Sequence, residues 1–370
     1  MGRFFELVTD PVRSLGPYAS AVSATPIQPA TDTPLLKMNA NESPYGPSPK
    51  AVAAMRAVLE GCHFYPDDAG ATLRRKLADV HGVPAAHFLI ANGTTALLGA
   101  MARTLLRPGL NAVTSACSFI SYPMAVRAAG GTLVATPRRD GGYDLAAMRA
   151  AINDTTRLVF LANPSNPTGT LLETAQLDKF LKDVPGHVVV VLDEAYYDYA
   201  QHFAAARGVE YSHSLDYVRS DRNVVVLRTF SKAHGLAGIR VGYGIGPPEL
   251  MAYFARVQDM FAVSSVAQAA ALAAVEDEAH VRHAVENNAQ QADWLTAEIS
   301  KLGYEVVPTW ANFLFFDVKR DAREFARRLR KEGVLIRPLT AWGAPTALRV
   351  TIGNAEQNQR FLQALQRVAG

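Results

Sequence analysis

The chain has 370 residues, 49% hydrophobic and 19% charged, with a formal net charge of +3. That length supports two packed units, and the dispersed charge, with Arg327-Arg328-Leu329-Arg330-Lys331 read as a solvated helix face, excludes a basic stripe for nucleic acid. The only cysteines, Cys62 and Cys117, give neither a disulfide framework nor zinc spacing, and neither a leader pattern nor a membrane-spanning apolar stretch is present, so a metal-free cytoplasmic protein is expected.

The first fifty or so residues are proline-spaced and weakly periodic, as expected of an arm that wraps over other elements. A helix is predicted from Pro49 to Leu59, closed by Gly61. From Phe88 to Val226 short apolar runs alternate with amphipathic stretches. Strands are predicted at Phe88–Ala91, Ala112–Thr114, Thr132–Ala135, Leu158–Leu161, Val188–Leu192 and Val224–Leu227. Helices are predicted at Thr94–Leu106, Ile120–Gly130, Leu145–Ile152 and Glu173–Val184. Uninterrupted apolar strands separated by helices imply an α/β fold with a mostly parallel sheet covered on both faces.

Beyond Val257 the pattern changes. Helical stretches at Ser264–Glu276, Glu278–Leu302, Ala322–Glu332 and Ala355–Val368 accompany short strands at Glu305–Val307, Phe313–Phe316, Val334–Ile336 and Ala347–Thr351. They predict a smaller α+β unit. The expected division is an N-terminal arm over 1–47 that shares in the small domain, a large domain over 48–263 and a small C-terminal domain over 264–370.

In such sheets ligands bind beyond the carboxyl ends of the strands, so the residues just after each strand carry the chemistry. Asn92-Gly93-Thr94-Thr95 opens a helix, where free amides and the helix dipole suit a phosphate; a plain Thr cap is the structural alternative. Val188–Leu192 followed by Asp193-Glu194-Ala195-Tyr196 imitates the acidic strand end of an ATPase. The matching Gly-x-x-x-x-Gly-Lys-Ser/Thr loop is missing from the chain, which rejects that reading. The strand Val224–Leu227 leads into Arg228-Thr229-Phe230-Ser231-Lys232-Ala233-His234-Gly235, and Arg240 returns eight residues after Lys232. A buried amine among cations loses its proton readily and attacks carbonyls, while Ser231 and Arg240 suit a phosphate. An imine-forming lysine beside a phosphate anchor describes a pyridoxal-phosphate site. In that reading Asp193 faces the pyridinium nitrogen: opposite charges at ~4 Å in an effective dielectric of ~20 interact by about 4 kcal/mol, enough to keep the ring protonated near neutrality. Tyr196 then reaches the ring oxygen.

This segment resembles the Schiff-base motif of fold-type I aminotransferases. Asn163-Pro164-Ser165-Asn166-Pro167-Thr168-Gly169 is similar to that family's Asn-Pro turns, and the resemblance gives Asn166 a hydrogen bond to the ring oxygen. Ser118-Phe119-Ile120-Ser121-Tyr122-Pro123 aligns with its Thr-Tyr-x-x-Tyr stretch, which puts Phe119 on the pyridine face. A narrower likeness, to the histidinol-phosphate aminotransferases, rests on Val12–Tyr18, on Asn39-Ala40-Asn41-Glu42-Ser43-Pro44-Tyr45-Gly46, on Tyr65-Pro66-Asp67 and on Arg337 and Arg349. It implies a substrate site shaped by Tyr18, Asn41, Arg337 and Arg349, with Asn312 nearby, and a homodimer in which Tyr65 reaches the partner's cofactor phosphate. Thr94-Thr95-Ala96 stands where the family usually has Ser-Asp-Glu. The implied reaction moves an amino group between L-histidinol phosphate and 2-oxoglutarate in histidine biosynthesis. An aromatic amino-acid aminotransferase would share the fold and lysine, and a decarboxylase of the threonine-phosphate type would release carbon dioxide without an oxo-acid partner. A pyridoxal-binding regulator would need a DNA-binding extension, for which the arm is too short and proline-rich.

Overall fold

Uninterrupted Val/Leu runs build the centre of the molecule. The computed structural model describes residues 4–13, 15 and 34–369. In chain order its strands are β1 (Leu36–Lys37), β2 (Phe88–Ala91), β3 (Asn111–Ser115), β4 (Thr132–Thr136), the hairpin β5 (Arg138–Arg139) and β6 (Gly142–Tyr143), β7 (Thr156–Ala162), β8 (Val189–Asp193), β9 (Val224–Thr229) and β10 (Gly242–Ile245). Then come β11 (Glu305–Val307), β12 (Phe313–Asp317), β13 (Val334–Leu335), β14 (Arg337–Pro338) and β15 (Ala347–Thr351).

The large sheet has seven strands in the order β2-β10-β9-β8-β7-β3-β4. All neighbours are parallel except β10, which runs antiparallel to both β2 and β9. Alternation divides each apolar run between two cores. Val190 and Leu192 of β8 pack with Val224 and Val226 of β9 on one face, while Val189, Val191, Val225 and Leu227 pack on the other. Each such side chain contributes about 1.5–3 kcal/mol relative to exposure, so the register is fixed by burial on both faces.

A four-stranded antiparallel sheet, β11-β12-β15-β14, forms the smaller unit with the helices Glu278–Lys301, Ala322–Lys331 and Ala355–Ala369. The N-terminal segment joins it: β1 pairs in parallel with β13, and Met38 is buried in that core. The helix Ser265–Val275 lies C-terminal to the expected division yet buries Ala267, Ala270, Ala271 and Ala274 in the large core, against the helix Pro49–Val58. Packing therefore argues for a division at Asp277 in place of Ser264, and we propose that boundary.

The sequence reading does not anticipate β10 or the helices Tyr197–Arg207, Ser214–Arg219 and Pro248–Ala255. In β10 two of four residues are glycine, which masks a strand that is fully buried between two neighbours. Among the described residues no helix is long and apolar enough to cross a membrane.

Candidate active site

Beyond the carboxyl ends of β7, β8 and β9 the two units enclose a cavity of about 260 Å³. Its floor is Asp193, the last residue of β8, which is 4% exposed. Oδ2 accepts a hydrogen bond from Tyr122 Oη at 2.9 Å, and Oδ1 accepts one from the Ala195 amide at 3.2 Å. Burial still pushes the Asp193 carboxyl up to about 6. Glu194, one residue on, faces the other way. Its Oε2 accepts from Arg228 Nη2 at 2.8 Å and Nε at 3.0 Å, and the guanidinium lies 3.5 Å from the Tyr197 ring centroid. The adjacent acids thus have separate roles, one in the cavity and one in a buried ion pair.

Lys232 is half-buried on the turn after β9, and its Nζ donates to the Ala40 carbonyl at 3.0 Å. Burial, with Arg349 and then Arg240 nearby, lowers its ammonium to about 8, against the opposing pull of Glu42 and Asp193. The turn closes tightly: a side chain on Gly235, at φ 69°, would collide with the Gly46 carbonyl, so the N-terminal loop packs directly on the lysine turn.

Arg240 Nη1 donates to Ser231 Oγ at 3.4 Å and to the Ala237 carbonyl at 2.9 Å. Both residues face the start of the helix Thr94–Leu105, where Thr94 and Thr95 line the cavity. The cap residue is Gly93 rather than a threonine, and no side chain caps the helix. A Cβ on Gly93 would come 2.5 Å from Arg240 Nη2, so glycine here lets the guanidinium approach the helix start.

On the opposite wall Tyr196 Oη accepts from Asn41 Nδ2 at 2.8 Å and from Asn166 Nδ2 at 3.1 Å. Arg349 Nη1 donates to Asn166 Oδ1 at 2.5 Å and Nη2 to the Asn39 carbonyl at 3.0 Å. Its guanidinium lies between the rings of Phe313 and Trp342, 5.3 and 5.5 Å from their centroids. Arg349 is buried on the inner strand β15, and its register partner across the ladder is Arg337 on β14. Arg337 is half-buried, lines the same cavity, and donates from Nε to the Asn39 carbonyl at 3.4 Å. Asn312 stands behind the wall, donating from Nδ2 to the Asn41 carbonyl at 3.0 Å.

The matches with known proteins agree with this arrangement. The sequence matches the family described as aminotransferase class I and II over residues 33–365. The chain belongs to that family. This aminotransferase is 45% identical over 337 residues to the histidinol-phosphate aminotransferase of Moorella thermoacetica, covering 90% of this chain and 85% of that one. It is 42% identical over 374 residues to histidinol-phosphate aminotransferase 2 of Pseudomonas aeruginosa, covering 100% and 99%. In fold it resembles the crystal structure of the Sinorhizobium meliloti histidinol-phosphate aminotransferase in complex with pyridoxal-5'-phosphate, at TM-score 0.84 and 27% identity over 97% and 99% of the two chains. A Thermus thermophilus aspartate aminotransferase mutant gives the same TM-score, 0.84, at 24% identity over 98% and 99%, a likeness of fold alone.

The cavity of this aminotransferase gathers Asn41, Thr94, Thr95, Phe119, Asn166, Asp193, Tyr196, Ser231, Lys232, Arg240, Arg337 and Arg349. Tyr65 is elsewhere: it is 81% exposed, and its ring stacks on Phe261 at 4.4 Å. Tyr18 lies outside the described residues. Sequence reasoning missed Tyr122 as a partner of Asp193, although the aligned Thr-Tyr-x-x-Tyr stretch holds it. It also missed Trp342, on the turn Thr340–Trp342, which no motif marks.

Pyridoxal phosphate can be tested against this donor set. A hydroxyl, a guanidinium and an uncapped helix start suit a phosphate dianion, and the Gly93 cradle leaves the guanidinium room to meet it. A buried carboxylate with two donors suits a protonated ring nitrogen, and the Tyr196–Asn166 pair suits a phenolic oxygen. The residues fit the group.

Proposed function

We propose that this enzyme transfers the amino group of L-histidinol phosphate to 2-oxoglutarate, giving imidazole acetol phosphate and L-glutamate in histidine biosynthesis, as a cytoplasmic homodimer that uses pyridoxal phosphate. The observation that carries the reading is the Arg337–Arg349 register pair above Lys232. Like charges directly opposite in an antiparallel ladder are destabilising, and an anionic substrate offsets that cost. The names of the curated relatives support the same donor.

When bound, pyridoxal phosphate supplies an electrophilic carbonyl carbon and a ring that accepts electrons. The rest is the work of the chain. Ser231, Arg240 and the amides of Thr94 and Thr95 would hold the phosphate, and Phe119 would pack against the ring. Asp193 keeps the ring nitrogen protonated, while Tyr196 and Asn166 hydrogen-bond the ring oxygen. A lysine lowered to about 8 supplies a larger neutral fraction near neutrality than an ordinary one. Lys232 would hold the group through Nζ at its carbonyl carbon; displaced by the incoming substrate amine, the free neutral amine would take the α-proton of the substrate and give it back, as general base and then acid. Arg337 and Arg349, with Tyr18, bind the phosphate of the donor and then the carboxylates of the oxo acid. Tyr65 completes the site of the partner subunit.

A donor panel on the purified protein tests the substrate. A hydrogen bond to a charged group contributes about 1.5–3 kcal/mol, so histidinol lacking the phosphate loses roughly ten- to a hundredfold in kcat/KM. Arg337→Ala removes most of that preference. Faster turnover of phenylalanine or tyrosine than of histidinol phosphate overturns the reading in favour of an aromatic aminotransferase.

A further inference from the structure

Tyr122 is fully buried, the second residue of the helix Ser121–Ala128. Its ring stacks on Phe160 of β7, with centroids 4.7 Å apart and planes 9° from parallel. It also meets Phe119 edge-on at 5.6 Å and 89°. One rigid ring therefore touches both the wall of the cavity and, through its hydroxyl, the carboxylate on the floor. The contact to Asp193 Oδ2 is one of two hydrogen bonds given to that carboxylate, the other coming from the Ala195 amide.

We propose that Tyr122 is a positioning residue whose hydroxyl orients Asp193 and holds its carboxylate ionised against the ring nitrogen of the cofactor. The inference rests on the role given to Asp193 above. A buried carboxylate keeps its charge only where donors replace the lost water. The charged and titratable groups facing Asp193 are Tyr122 from the helix after β3, Glu194 and Tyr196 beyond its own strand, and Lys232 from the turn after β9. Glu194 opposes ionisation, and Lys232 favours it while protonated. Burial and the charge of Asp193 keep the Tyr122 phenol protonated, so it remains a donor across the working range of pH. Without the hydroxyl the proton shared between Asp193 and the ring nitrogen moves toward the carboxylate, and the ring becomes a weaker electron acceptor.

The test is Tyr122→Phe in the holoenzyme, which keeps the ring packed on Phe160 and removes only the hydroxyl. With ¹⁵N-labelled pyridoxal phosphate, the ring-nitrogen resonance is expected to move toward the unprotonated position, and the acid limb of the pH profile toward higher pH. Loss of the substrate α-proton should slow by about ten- to a hundredfold. In an Asp193→Asn background the same change should add little, because the two residues act as a unit. An unchanged nitrogen resonance and rate in Tyr122→Phe, alongside a slow Asp193→Asn, overturns the inference while leaving the site reading intact. Fully additive losses overturn it too, by separating Tyr122 from Asp193. An Asp193→Asn enzyme as fast as its parent overturns the role of Asp193 and this inference together.

Discussion

At the scale of single residues the cavity is a set of compensated costs. Burial raises the Asp193 carboxyl from an ordinary 3.8 to about 6, against the opposing pull of Tyr122 and the Ala195 amide. Between those values the folded chain binds more protons at this group than the unfolded chain does. The contribution of Asp193 to stability is therefore present below the lower value and declines as pH rises through the window. In cofactor-free protein, Asp193→Asn removes this dependence, so the Tm of the variant should gain on that of the parent between about pH 4 and pH 7. Scanning calorimetry at the two pH values checks it; an equal Tm difference at both contradicts the assignment. That Lys232, Ser231 and Arg240 share one cavity was legible in the sequence because amine, hydroxyl and guanidinium sit within one short stretch. Tyr122 was harder to see, since its partner lies 71 positions away and only the sheet brings them together.

At the scale of elements, period-two alternation explains most of what the sequence revealed. The apolar runs of β7, β8 and β9 announced themselves because both faces are buried, and alternation then turns Asp193 and Glu194 to different sides. Glu194, just past β8, pairs with Arg228 of β9, with the side chains 1% and 5% exposed. Removing one partner of a buried pair leaves a charge uncompensated, so Glu194→Ala should destabilise the protein by about 3–5 kcal/mol. Urea unfolding measures this, and a loss under about 1 kcal/mol would show that solvent reaches Arg228 in the native state. β10 was illegible for the opposite reason: its glycines carry no side-chain pattern, and tertiary pairing alone makes it a strand. The change in pattern at Ser264 marks a new helix, and the alanine face of that helix packs in the large core, which is why we propose the later boundary. Arg349 stands on an inner strand, since β15 lies between β12 and β14.

At the scale of the whole molecule, Tyr65 stands outside the cavity of its own chain. A tyrosine that is 81% exposed, stacked on Phe261 beside the 80% exposed Met260, forms an apolar projection outside its own cavity. In the proposed homodimer Tyr65→Ala and Lys232→Ala chains, each inactive, should recover part of the activity when co-expressed, because one site of each mixed dimer then holds both residues. Mixed dimers that form and stay inactive contradict a shared site. The fold itself leaves the donor open, as its equal likeness to an aspartate aminotransferase illustrates. In the proposed reaction the donor depends on the pair of arginines that line the cavity with the lysine, and a single half-reaction examines both together. Holoenzyme mixed with L-histidinol phosphate, with no oxo acid present, should convert its bound pyridoxal phosphate stoichiometrically to the pyridoxamine form, followed by absorbance, and 2-oxoglutarate should restore the starting spectrum. A spectrum that stays unchanged with histidinol phosphate while phenylalanine or tyrosine converts it would contradict the account.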